Sequence, residues 1–324
     1  MNAKFGMINV ELLNFLMLIL SVLIACVLPF ETFLFSYAVL GPLHYLTELH
    51  WLNKKDFFLP KRKYIFLFIT LSVFITVFIL ISSFNIFVTY RAGISGLLLF
   101  FFFLFCAYLL YVSRSMLLKI FLLFLIGFTV FLFFAKSGVF VLLGVFLPTI
   151  LHVYIFTGLF MLMGYFKSPN NLSLINIVLL FIIPFAIYFI PLENFIFQSK
   201  FGAEKIYTST NFKNINDWFV FLLKIDKEAE KVFFLKAQIF IAFAYTYHYL
   251  NWFSKTSVIG WTKTLSLKKM ILVLGIWILS IALYLYNYQT GLTVLFLLSM
   301  IHVLAEFPLN ALSIKTVFQK LTNK

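Results

Sequence analysis

The sequence predicts an all-α, polytopic integral membrane helix bundle with about ten transmembrane helices and both termini in the cytoplasm. Three observations carry this. The 324-residue chain is 63% hydrophobic and 11% charged, too few polar residues to coat a soluble domain. Apolar runs long enough to cross about 30 Å of hydrocarbon recur along it, each needing about 20 residues as helix. Bulky apolar residues, including 46 phenylalanines, lie all round these runs, which suits lipid contact better than a one-sided aqueous core.

The expected spans are 8–29, 32–52, 64–83, 92–112, 116–134, 139–165, 172–191, 232–253, 268–287 and 291–312, each bounded by charge, Pro or Asn. The first run follows Lys4 like a signal peptide. No small-residue cleavage site ends it and further spans follow, so it is expected to be retained. The chain is expected to be a single domain, 1–324.

Orientation follows the basic loops. Lys54, Lys55, Lys61, Arg62 and Lys63 follow the second span, and Lys255, Lys263, Lys268 and Lys269 follow the eighth. An even number of spans separates the clusters, so both fall on one side, and the positive-inside rule makes it cytoplasmic. The expected location is therefore the cell membrane, as a multi-pass protein. The net charge of +14 is assigned to these loops and to the anionic lipid headgroups they meet, not to nucleic acid.

One long loop, 193–231, falls on the extracytoplasmic side. Within it Asp217 to Leu223 reads as a short interfacial helix capped by Asn216 or Asp217, and the loop as either a packed connector or a lid. Cys26 and Cys106 both lie in apolar runs, so neither a disulfide framework nor a thiolate metal site is expected. Neither a phosphate-binding glycine loop nor a convincing GxxxG pattern is present.

Ionisable residues inside lipid are costly and mark function. All five histidines, His44, His50, His152, His248 and His302, fall in or beside expected spans. Two spans carry His-x-x-x-Glu, as His44/Glu48 and His302/Glu306. Four residues advance about 400°, so each pair shares a face one turn apart. The spans of His44, His152, His248 and His302 all run towards the cytoplasm, which puts four histidines and two glutamates at similar depth. Pro42, Pro148 and Pro308 each lie within four residues of a candidate ligand (His44, His152 and Glu306), and prolines are accepted in membrane helices where a cavity re-satisfies the freed backbone. His50 is six residues from His44, on another face, and is expected at the interface.

Imidazoles and carboxylates without thiolates suit iron first, with zinc or manganese as alternatives. The expected ligands are His44, His152, His248 and His302. Glu48 and Glu306 are divided between ligation and orientation of the imidazoles. Tyr245 is a further candidate for chemistry, and Tyr45, Tyr247 and Asn251 are candidates for contacting substrate or supporting the ligands. Neither paired haem histidines nor repeated HxxHH boxes occur.

The segment Leu40-Gly41-Pro42-Leu43-His44-Tyr45-Leu46-Thr47-Glu48 resembles the first motif of the Brp/Blh family of membrane beta-carotene dioxygenases. In that motif a Gly precedes a His by three residues and an acid follows the His by four. Gly41, His44 and Glu48 match it. Tyr45 stands where the family usually has Gly, and Glu48 where it usually has Asp. The resemblance covers about ten residues. It implies a polytopic helical fold, an iron held by histidines, with His44 among them, and oxidative cleavage of a carotenoid.

Three functions are expected to compete. The first is an intramembrane metal-dependent oxygenase acting on a lipid or isoprenoid. The second is a proton-coupled transporter with a His/Glu relay. The third is a metal-free lipid transferase with a His base.

Overall fold

The computed structural model describes residues 2–54, 73, 150, 152–197, 201–210, 212–255 and 266–322. The expected spans 64–83, 92–112 and 116–134 lie outside these residues apart from residue 73, as does the start of 139–165. Lys55, Lys61, Arg62, Lys63, Cys106 and Lys263 also lie outside. The described residues are helical and contain no strand. They fall into two compact units, one of residues 1–47 and 153–291 (with 324), the other of 48–152 and 292–323.

The first unit begins with α1 (Asn2–Val27), α2 (Pro29–Phe35) and a π-helical turn, Ser36–Leu40, that runs straight into α3 (Gly41–Lys54). Pro29 opens α2, where its missing N–H has no helical partner to lose. The π turn frees backbone carbonyls, and neighbouring side chains take them up. Trp277 Nε1–H donates to the Val39 carbonyl at 2.7 Å, and the Tyr288 hydroxyl to that of Leu34 at 3.3 Å.

A second π-helical stretch, 152–156, leads into α4 (Thr157–Lys167). Then follow α5 (Asn171–Phe189), a short 3-10 turn at Leu192–Phe195, α6 (Ala203–Thr208), α7 (Lys213–Leu222), α8 (Glu230–Ser254) and α9 (Leu267–Tyr286). The side chain of Asn170 caps α5 by accepting from Ser173 N–H at 2.8 Å. Helix α8 is the centre of the unit, packed by α1, α2, α5 and α7. From Ala237 to Tyr249 it is buried at every residue but Phe240, and this run carries Gln238, Thr246 and His248 among apolar residues.

Among the described residues three helices are long and apolar enough to cross a membrane: Val10–Val27 of α1, Asn171–Phe189 of α5 and Leu267–Tyr286 of α9. Their outer faces are built inversely to a soluble protein. On α1, Asn14, Leu18, Ser21 and Ala25 are buried, while Leu12, Leu16, Leu20 and Leu23 are exposed. On α5, Ser173 and Asn176 are buried, while Ile182, Phe185 and Phe189 are exposed. Small and polar residues inside and large apolar residues outside are the pattern of helices that associate within lipid. Asn176 Nδ2 donates to both the main-chain and the side-chain oxygen of Glu11 at 3.0 and 3.1 Å, tying α5 to α1.

The 193–231 segment is a packed module. The Asp217–Leu223 helix exists but starts earlier, at Lys213, and the expected cap is corrected. Asn216 lies inside α7 and is fully buried, with Phe212 at the cap position. Its side chain is drawn inwards because three buried partners satisfy it. It accepts from the Tyr207 hydroxyl at 2.6 Å and donates to the Phe234 carbonyl at 3.1 Å and to Gln238 Oε1 at 3.2 Å. Gln238 in turn donates to the carbonyl of Pro29. Phe33 stands edge-on to Tyr207, Phe212 and Tyr245, which closes the module onto α2 and α8.

The second unit is described by the end of α3 from Glu48, by Ile150 and His152, and by α10 (Tyr288–Thr322) from Leu292 onwards. Helix α10 continues through Pro308 and runs ten residues past the expected end at 312. Ser313 and Val317 keep a buried face on this extension, and Ile314 and Phe318 an exposed one.

Candidate functional site

In the first unit, α3 supplies His44 and α8 supplies His248. Their Nε2 atoms lie 3.1 Å apart, with the rings nearly perpendicular, and both side chains are buried. Thr157, at the start of α4, determines how His248 is protonated. Its single hydroxyl hydrogen is given to the Val153 carbonyl at 2.8 Å. The same oxygen lies 2.8 Å from His248 Nδ1, so there it accepts and Nδ1 carries the hydrogen. A neutral His248 then turns an Nε2 lone pair towards His44. Two imidazoles bound to one ion at about 2.1 Å, with nitrogens this far apart, subtend about 95°, which suits neighbouring ligands. The same spacing is a hydrogen bond when His44 Nε2 is protonated.

Helix α3 is fastened beside this pair. Trp252 Nε1–H donates to Thr47 Oγ1 at 3.0 Å, and Thr47 donates to the His44 carbonyl. Tyr45 and Tyr249 join their hydroxyls at 2.9 Å, and the rings of both flank His44. Gly41 leaves room for this pair. A Cβ there would lie 3.1 Å from the Tyr45 hydroxyl and 3.3 Å from that of Tyr249. The glycine of the motif is thus needed for close approach, with Tyr45 filling the space.

In the second unit four side chains converge. His302 Nε2 lies 2.8 Å from Glu48 Oε2, and His152 Nδ1 lies 2.9 Å from Glu306 Oε2. The two imidazole rings meet edge to face at 4.9 Å. All four side chains are at most 5% exposed. Each glutamate therefore pairs with a histidine from elsewhere in the chain, not with the one a turn before it. The reason is geometric. Residues at i and i+4 point the same way, so both reach outwards to a neighbour.

His152, His302 and Glu306 each bring one ligand atom within 4.8 Å of the others. Ligands on one ion at about 2.1 Å are at most about 4.2 Å apart, so shifts of a few tenths of an ångström would close this group on a cation. The charge balance also fits. Two ionised carboxylates, Glu48 and Glu306, would be neutralised by one divalent cation; without one, each pair would need a proton on the glutamate or on its histidine.

The remaining expected residues divide. Tyr245 is buried among Phe33, Tyr37, Phe212 and Tyr249. Tyr247 points to α1 and α4, donating to Asn14 Oδ1 at 3.1 Å and contacting Met161 Sδ. Asn251 is buried one turn after His248, and its Oδ1 has no hydrogen-bond partner among the described residues. His50 is half-buried.

Two residues escaped the sequence reading. Thr157 is the lone threonine in the run 151–166, and Asn310 extends the four-residue spacing of His302 and Glu306 by one more turn. No protein family, curated protein or solved structure matches the chain.

Proposed function

We propose that the chain is a metal-dependent oxygenase or related oxidoreductase of the cell membrane, multi-pass with about ten spans and cytoplasmic termini, acting on a lipid or isoprenoid. The observation that carries this reading is the buried group of His152, His302 and Glu306, with Glu48 on His302. Iron is the first candidate for the metal, with zinc and manganese as alternatives.

In this reading His152, His302 and Glu306 hold the ion, and Glu48 orients His302 or joins it as a ligand. In the first unit His44 and His248 form an imidazole pair of their own that can take up a cation, with Thr157 holding the latter's Nε2 lone pair available. Bound iron would supply redox chemistry with dioxygen. The chain's own part is to exclude water, keep the imidazoles neutral and oriented, and admit an apolar substrate from the bilayer. Metal analysis of the purified protein tests this. Stoichiometric iron in wild type that is lost in His302→Ala and Glu306→Gln supports it. A wild-type protein without metal after expression in iron-replete cells refutes it.

The direct His–Glu contacts at 2.8 and 2.9 Å also favour a second reading, a proton relay in a transporter. That protein would carry no metal and would show pH-dependent flux in liposomes.

A further inference from the structure

Asn310 lies on α10 one turn beyond Glu306 and two turns beyond His302, about 6 Å and about 12 Å along the axis. It is 1% exposed, and neither its amide oxygen nor its amide nitrogen has a hydrogen-bond partner among the described residues. Its polar neighbours on the helix are all engaged. His302 meets Glu48, Glu306 meets His152, and Ser313 donates to the Leu309 carbonyl at 2.7 Å. A buried amide without partners costs free energy, and buried polar groups are nearly always paired. One left unpaired beside a cluster of potential ligands has the character of a group awaiting something that binds there.

We propose that Asn310 binds the hydroxyl of a lipid alcohol lodged beside the His/Glu cluster, an inference that rests on the metalloenzyme reading and narrows its substrate class. The amide requires a donor for Oδ1 and an acceptor for Nδ2. A hydroxyl supplies both. A plain hydrocarbon supplies neither, and a ketone or ester only accepts. An anionic headgroup would need a counter-charge, and α10 carries no lysine or arginine from Tyr288 to Ile314. The substrate is then an isoprenoid or long-chain alcohol, with its polar end at Asn310 and its chain directed along the apolar helices. A site built to hydrogen-bond a hydroxyl discriminates strongly against the analogue that lacks it, because its own polar groups are left unpaired.

The test compares geranylgeraniol with the corresponding hydrocarbon that lacks the hydroxyl. Binding is measured on the full-length protein in lipid nanodiscs, for wild type, Asn310→Leu and Asn310→Ala. Wild type is expected to bind the alcohol at least about tenfold more tightly. Both variants are expected to lose that preference, and ligand-free Asn310→Leu to melt no lower than wild type, because it removes an unpaired amide. Equal binding of the two probes by wild type would overturn the assignment. So would a preference retained by either variant. Metal is assayed on the same samples. A preference for the alcohol in a protein that holds no metal would refute the metalloenzyme reading and leave the role of Asn310 standing.

Discussion

Replacing Thr157 by valine keeps the shape of the side chain and removes its oxygen. In wild type that oxygen accepts from His248 Nδ1–H at 2.8 Å while donating to the Val153 carbonyl. The variant leaves a buried imidazole N–H without its acceptor, at a cost of about 1–3 kcal/mol. The imidazole then loses its preference for the Nδ1-protonated tautomer, so its Nε2 lone pair is no longer held towards His44. Loss of such a supporting hydrogen bond typically weakens metal binding by about 10–100-fold, here at the His44/His248 pair, or roughly 1.4–2.7 kcal/mol. The assay is chelator competition on the purified protein, together with nitrogen-15 NMR of labelled histidine to read the tautomer. Thr157→Ser retains the hydroxyl and should restore both readings. A Thr157→Val protein with wild-type metal affinity and an unchanged His248 tautomer would refute the reasoning.

Two further substitutions test the supports around the sites. Gly41→Ala places a methyl group 3.1 and 3.3 Å from the hydroxyls of Tyr45 and Tyr249, so it should part the tyrosine pair and lower stability by about 1–3 kcal/mol, seen as a lower melting temperature. Asn216→Leu removes three hydrogen bonds, leaving Gln238 Oε1 without its donor and the Tyr207 hydroxyl only its longer bond to the Phe212 carbonyl at 3.2 Å. It should destabilise the 193–231 module by about 1–3 kcal/mol for each group left unpaired, detected as faster hydrogen exchange in α6 and α7.

The apolar helices were readable because the signals that bound them are local. Charge, Pro and Asn interrupt the runs, so the ends of α1, α5, α8 and α9 fall within a few residues of the expected limits, apart from the extra turns at the start of α1. The extension of α10 past 312 was not readable, since its amphipathic tail lacks a long apolar run. The π-helical turn at Ser36–Leu40 was also hidden, because one extra residue per turn leaves no mark in a uniformly apolar sequence. It nonetheless sets the face on which His44 emerges.

Spacing placed His302 and Glu306 on one face of a helix, and both are buried there. It did not show that Glu306 reaches His152 or that Glu48 reaches His302, since those partners come from distant parts of the chain. Asn216 was misread as a cap because Asn at a helix start is a strong local signal. Tertiary partners on α8 outweighed that signal. Thr157 and Asn310 carried weaker marks, a single hydroxyl and a continued four-residue spacing. Their roles emerge only from what surrounds them, a bonded imidazole in one case and an absence of partners among the described residues in the other.

X-ray absorption spectroscopy at the iron edge of the purified protein tests the central claim most directly. The His/Glu centre predicts nitrogen and oxygen ligands at about 2.0–2.2 Å, with the outer-shell scattering of imidazole and no sulfur at about 2.3 Å. The imidazole signal should fall when His152 and His302 are replaced. A sample without a metal edge, a sulfur-ligated metal, or a spectrum unchanged in those variants would contradict the account.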